Sequence, residues 1–172
     1  MAFFYSLSIE CGADKSAALT CAKHFDGWKL PLNDLLPDTV NVTVKQESGD
    51  DQDWWVVVVP VGVSQSGVVS EEAARSMSAA GHCLLDRLKT APPFRFAVIG
   101  VEADEAIYYN DLNPELGQDS TLAERYHGLV VSEEIYERLN PTSMFEPFTL
   151  GKFWIPYRGE TYRPSTDSEE SF

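Results

Sequence analysis

The apolar positions of the chain recur at two periods, and the densest run is Trp54-Trp55-Val56-Val57-Val58-Val59. At a period of two, Trp54, Val56 and Val58 point one way and Trp55, Val57, Val59 and Val61 the other, so both faces are apolar. The pattern predicts a mid-sheet strand with a layer on each side. Pro60, which has no amide to donate, marks a bulge or the strand's exit from the sheet. Four successive β-branched valines favour strand over a buried helix segment.

The other elements arrange themselves around this run. Phe3, Tyr5, Leu7 and Ile9 alternate with Phe4, Ser6, Ser8 and Glu10, which predicts a first, half-buried strand. Asp14 or Ser16 caps a short helix whose stripe is Ala17, Cys21 and Phe25, with Ala18 and Ala22 beside it, and Gly27 ends it. Residues 28–38 read as a loop. Val40, Val42 and Val44 alternate with Thr39, Asn41, Thr43 and Lys45 in a second strand with one polar face, paired as a hairpin with the tryptophan strand. Ser70-Glu71-Glu72 opens a long helix striped by Ala73, Met77, Ala80, Leu84 and Leu88 and stopped by Pro92-Pro93, with His82 turned away from that stripe. Phe94 to Val101 forms a fourth strand.

Strand, helix, strand, strand, helix, strand is the order of a split βαβ, ferredoxin-like arrangement. Its usual strand order, four-one-three-two, puts the tryptophan strand inside and the Lys45 strand at an edge. The expected fold is therefore α+β: a ferredoxin-like core over residues 1–101, an α/β extension over 102–163 packed on it, and a flexible tail over 164–172. Within the extension, 128–131 predicts a short strand, Ser132-Glu133-Glu134 a helix start, and 148–157 a last strand or cover for the second face of the tryptophan strand.

Charge alters this picture most in the last third. The 172 residues hold 27 acidic and 13 basic side chains, a net charge of −14. Residues 1–100 account for −4 and the remainder for −10, and between Glu102 and Glu124 there are seven acids and no base. Ile107, Tyr108, Tyr109, Leu112 and Leu116 interleave them, so the stretch predicts an ordered acidic excursion and not a disordered one. Such a charge opposes direct binding of nucleic acid or an anionic membrane and suits a basic protein partner. No secretory signal is recognisable at the N-terminus and no apolar run is long enough to span a bilayer, so the expected location is cytoplasmic.

Motifs for chemistry are sparse. Neither glycine-rich phosphate loop occurs, and Gly62-Val63-Ser64-Gln65-Ser66-Gly67 misses the activated-serine pattern by one position. Cys11, Cys21 and Cys83 lack paired spacing, and Cys21-x-x-His24 and His82-Cys83 offer two ligands each where a metal needs more. No catalytic residue, metal or cofactor is expected.

The candidate site is a partner-binding surface: Asp50, Asp51 and Asp53 at the hairpin tip, with Glu102, Asp104, Glu105, Tyr108, Tyr109, Asp111 and Glu115. Crowded like charges repel, a cationic partner relieves the repulsion, and tyrosines supply interface anchors. In size, charge and lack of catalytic motifs the chain is similar in general character to the small acidic immunity proteins and antitoxins that mask the basic cleft of a toxin or nuclease. That likeness implies a non-catalytic inhibitor. The alternatives are a small hydrolase-like enzyme using Glu102, Asp104, Tyr126 and His127 in a cleft between core and extension, and an inhibitor that mimics nucleic acid. Convergence of two of those four residues in a concave pocket would favour the enzyme.

Overall fold

The structure, a computed structural model, describes residues 4–32, 38–48, 52–63, 67–141 and 144–164. The chain is α+β. Among the described residues, seven strands form one open antiparallel sheet in the order β2-β3-β1-β4-β5-β7-β6. They are β1 (Tyr5–Glu10), β2 (Val40–Gln46), β3 (Trp54–Pro60), β4 (Phe96–Val101), β5 (Val130–Ser132), β6 (Glu146–Thr149) and β7 (Lys152–Trp154). The helices are α1 (Lys15–Phe25), α2 (Glu71–Leu88), α3 (Pro114–Gly117), α4 (Leu122–Arg125) and α5 (Glu133–Leu139). No described helix is long and apolar enough to cross a membrane.

Local chemistry accounts for the helix boundaries. The Asp14 carboxylate accepts the Ser16 amide at the start of α1, and Ser70 accepts the Ala73 amide at the start of α2. Each satisfies a donor that has no partner inside the helix. Ser132 does the same for α5, which ends where Asn140 turns left-handed. The buried stripes, Ala18, Cys21, Ala22 and Phe25 on α1 and Met77, Ala80, Leu84 and Leu88 on α2, press against Tyr5, Leu7, Ile9, Val56 and Val58 of the sheet.

The tryptophan strand lies between β2 and β1, with β2 at the sheet edge. A second apolar cluster fills the opposite face: Trp55, Phe96 and Val98 from the sheet, and Ala103, Ile107, Leu112, Leu122, Ile135 and Leu139 from beyond it. Two expectations change here. β1 is buried at every residue, because β3 and β4 flank it and the chain after β4 lies over the side that carries Ser6, Ser8 and Glu10. Residues 148–157 hold the expected last strand, β7, which extends the sheet as a β6–β7 hairpin beyond β5 and adds Ile155 to the cluster around Trp55, but most of that strand's cover comes from the acidic stretch. That cover reaches Trp55, whereas Val57 and Val59 on the same face stay partly exposed.

One charged group ties these layers together. Arg95 Nε donates to Glu10 Oε1 at 2.8 Å, its Nη2 binds Glu10 Oε2, and the same nitrogen reaches Asp53 Oδ2 at 2.9 Å. Glu10 is fully buried and also accepts the Gly12 amide. The Arg95 amide donates to the Glu10 carbonyl although Phe96 is the residue in register with Glu10, so two residues of one strand oppose one of the other. This bulge turns Phe94 to the α-helical face while Phe96 and Val98 keep to the other. An uncompensated buried carboxylate is costly, so Arg95→Leu is expected to lose about 3–5 kcal/mol of stability in chemical denaturation. A loss under 1 kcal/mol would contradict that role.

Candidate functional site

The acidic stretch is rigid because its apolar residues are anchors. Glu102 adopts a left-handed conformation at the end of β4 (φ 55°) and turns the chain back over the sheet. Ile107, Leu112 and Leu122 then bury fully against Phe96, Val98 and Leu129. Short-range caps fix the turns between them: Asp111 accepts the Tyr108 amide at 2.9 Å, Asn113 the Leu116 amide at 3.2 Å, and Asp119 the Thr121 amide at 2.8 Å. The Tyr109 ring is held between two guanidinium groups, Arg95 at 3.7 Å and Arg138 at 4.1 Å from its centroid. Arg138 also donates to the Leu112 carbonyl at 2.6 Å and the Tyr109 carbonyl at 2.8 Å.

This scaffold sorts the ten candidate residues. Asp50 and Asp51 lie outside the described residues, as do Ser64 and Ser66. Asp53 is buried on Arg95, Asp104 is ion-paired with Lys45, and Tyr109 is sandwiched between arginines. Glu102, Glu105, Asp111 and Glu115 are exposed, and none has an ion-pair partner among the described residues. Tyr108, 40% exposed, stands among them. Asp111, Glu115 and Asp119 line one hollow of about 380 Å³ with Leu116, Arg125 and Tyr126.

A second arrangement sits where the C-terminal segment crosses α2 and β4. Tyr5 Oη lies 2.7 Å from Tyr157 Oη, which donates to Glu160 Oε2 at 2.7 Å. Burial pushes both phenols well above the ordinary tyrosine range, so both stay protonated and the donors run in series toward the Glu160 carboxylate. His127 stacks on the Tyr157 ring, and His82 meets it edge-on. The Arg158 amide donates to His127 Nδ1 at 3.3 Å, which places the imidazole proton on Nε2. Ser78 Oγ receives the Glu160 amide at 2.8 Å. Gly81 makes room within α2: a Cβ there would stand 2.1 Å from Tyr5 Oη and 2.8 Å from Tyr157 Oη.

A cleft of about 410 Å³ opens beside this network, lined by Tyr126, His127, Glu160 and the β4 edge from Val98 to Val101. Of Glu102, Asp104, Tyr126 and His127, it brings together the last two, the convergence set out above as favouring the enzyme, but neither carboxylate of that set lines the cleft and Asp104 is ion-paired with Lys45. Tyr157 and Glu160 carry no sequence signal, since they sit in an irregular segment and take their roles from partners far away in the chain. The single hint is Gly81, a helix-weakening residue in the middle of a strong helical stripe.

The other suggestive spacings are occupied structurally. His24 Nε2 contacts the Arg87 carbonyl at 2.9 Å, and Cys11 and Cys21 are buried thiols. Among the described residues no group of His, Cys, Asp and Glu is disposed to hold a metal. Compared with known proteins, the chain matches no protein-family model, no curated protein and no solved structure.

Two outcomes test the network. Burial pushes His127 below its ordinary 6.5, so beneath that pH the native state binds fewer protons than the unfolded chain. Stability is therefore expected to fall as pH drops through 6.5 toward the folded-state value, and His127→Gln to flatten that slope in denaturant titrations at stepped pH. Gly81→Ala is expected to cost about 1–3 kcal/mol through overpacking. Adding Tyr5→Phe, which removes the nearest atom, should recover part of that loss in a double-mutant cycle; strictly additive losses would show that the hydroxyl is not what Gly81 accommodates.

Proposed function

We propose that the chain is a non-catalytic, cytoplasmic inhibitor of the immunity-protein or antitoxin kind, whose acidic surface covers a basic toxin or nuclease. The observation that carries this reading is a division among the acids. Asp53, Asp104 and Asp119 each have a cation that accounts for them, Arg95, Lys45 and Arg125 respectively. Glu102, Glu105, Glu115 and Glu124 are exposed on the same anchored stretch with no ion-pair partner among the described residues. Their mutual repulsion is a cost that the fold itself does not recover, and a cationic partner would.

Rigidity supports the same reading. Carboxylates held on an anchored backbone lose little freedom when a partner arrives, so the charge steers association without a large ordering cost. Tyr108 supplies an amphipathic side chain among them, the residue type that anchors interfaces. We further read residues 1–101 as a ferredoxin-like core. The order of its strands in the sheet, β4-β1-β3-β2, supports that class, and it serves here as the platform on which the acids are displayed.

The test is comparative capture. The immobilised chain and a Glu105→Lys/Glu115→Lys/Glu124→Lys variant are exposed to a lysate of the source organism at low and high salt, and the retained proteins are identified by mass. The expected outcome is a basic protein held by the native chain and lost from the variant, with an association rate lowered at least about tenfold and an unchanged melting temperature. Identical retention by both chains would remove the acidic surface from the mechanism.

A further inference from the structure

The two ends of the sheet are finished differently. At one end β6 runs for 4 residues, carries Glu146 and Pro147, both exposed, and shifts register between Pro147 and Thr149. Charge, proline and a bulge are the devices that keep an edge from pairing with another chain. At the other end β2 runs 7 residues, Val40–Gln46, in unbroken register with β3 and without a proline. Its single charge, Lys45, is ion-paired with Asp104. Val40, Val42, Thr43 and Val44 all favour an extended backbone.

Hydrogen-bond phase identifies the groups that this edge leaves open. The Val61 amide donates to the Thr39 carbonyl at 3.0 Å and the Glu47 amide to the Asp53 carbonyl at 2.8 Å, so odd-numbered residues of β2 bond toward β3. Even-numbered residues turn their main-chain groups outward. The Leu30 amide takes the Asp38 carbonyl at 2.8 Å and Lys29 bridges Thr39, so the segment after α1 covers the start of the edge. Past it, the outward main-chain groups of Val42, Val44 and Gln46 have no hydrogen-bond partner among the described residues, and no described strand lies beyond them. Asn41, Thr43 and Gln46 are exposed.

We propose that this edge pairs with the same edge of a second copy of the chain, joining two sheets into one across a two-fold axis at Val44. The open groups are self-complementary about that residue. An antiparallel copy sets Val42 against Gln46 of the second copy and Val44 against its own counterpart, and each such pair exchanges main-chain bonds in phase. Thr43 then faces the counterpart of Lys45, and Asn41 that of Glu47, so no like charges lie directly opposite. Glu47 and its counterpart stand roughly 20 Å apart along the strands at ~3.3 Å per residue, beyond the ~8 Å screening length. Lys29, exposed beside Thr39, comes next to Glu47 of the second copy on the same face, an opposite charge. The axis runs through the sheet, so both acidic stretches stay on one side of it. The pairing itself does not depend on the acidic-surface reading.

Sedimentation equilibrium of the full chain at stepped concentration and salt is the test. A reversible dimer is expected, tightening as salt rises because each copy carries a net charge of −14, the opposite of the trend for capture of a basic partner. Amide hydrogen exchange by NMR locates the contact. Val42, Val44 and Gln46 should exchange at least about tenfold more slowly in concentrated than in dilute solution, while Thr43 and Lys45, bonded to β3, stay protected in both. Gln46→Pro removes an outward donor at an exposed position and should weaken the dimer at least about tenfold, and Val44→Pro, at the axis, should abolish it. A chain that stays monomeric into the millimolar range overturns the proposal. So does a dimer that leaves those three amides unslowed, which would place its contact elsewhere, and so does protection independent of concentration, which would mean that the chain covers its own edge.

Discussion

The buried contact between Arg95 and the carboxylates of Glu10 and Asp53 is the constraint on which the two layers of this protein depend. Glu10 sits at the end of a central strand with no exposed surface, and burial pushes its carboxyl above the usual range even against the pull of Arg95. A carboxylate in that position is tolerable only with its cation in place. The requirement brings Arg95 into a bulge, and the bulge assigns Phe94 to one core and Phe96 to the other. The outer face of the same guanidinium stacks on Tyr109, which Arg138 closes from the far side. The acidic stretch is therefore fastened to the sheet by cations at its root, while Glu102, Glu105, Asp111, Glu115 and Glu124 stay exposed.

That arrangement explains how a region with seven acids and no base between Glu102 and Glu124 stays ordered. Arg95 and Arg138 reach in from other elements to meet its backbone and Tyr109, and Ile107, Leu112 and Leu122 bury beneath it. Order and exposed charge are then separate properties of the same stretch. The first comes from the apolar and cationic contacts underneath, and the second belongs to Glu102, Glu105, Glu115 and Glu124, which are exposed and have no ion-pair partner among the described residues.

The opposite corner of the sheet shows the converse economy. Gly81, Gly100, Gly128 and Gly159 surround Tyr157 and Glu160, and at Gly81, Gly128 and Gly159 a Cβ would lie within 3.0 Å of a neighbouring atom. Each replaces packing with space for a hydrogen-bonded chain or for a turn of the backbone. The result is a carboxylate held by Tyr157, itself bonded to Tyr5, beside the part of β4 that β5 does not pair among the described residues.

Sequence alone indicated β1 to β4, the two long helices, β5 and the start of α5, and the core-facing stripes of the helices. The strands carried a period of two and the helices a period near 3.6, Asp14, Ser70 and Ser132 stood where caps belong, and Lys45, Asn41 and Thr43 marked β2 as the edge. Those signals are local, because propensity and burial act on residues close together in the chain. The acidic surface was legible for a similar reason, since crowding of like charges is visible in order. Which acids are satisfied was not: Asp53 and Tyr109 looked like surface residues until Arg95 reached them. Tertiary structure also decided that residues 146–154 prolong the sheet, that β5 pairs with Phe96 and Ala97 of β4, and that Tyr5 meets Tyr157 across 152 positions of chain. Such partners share no period and no spacing, and only the folded backbone brings them within hydrogen-bond distance.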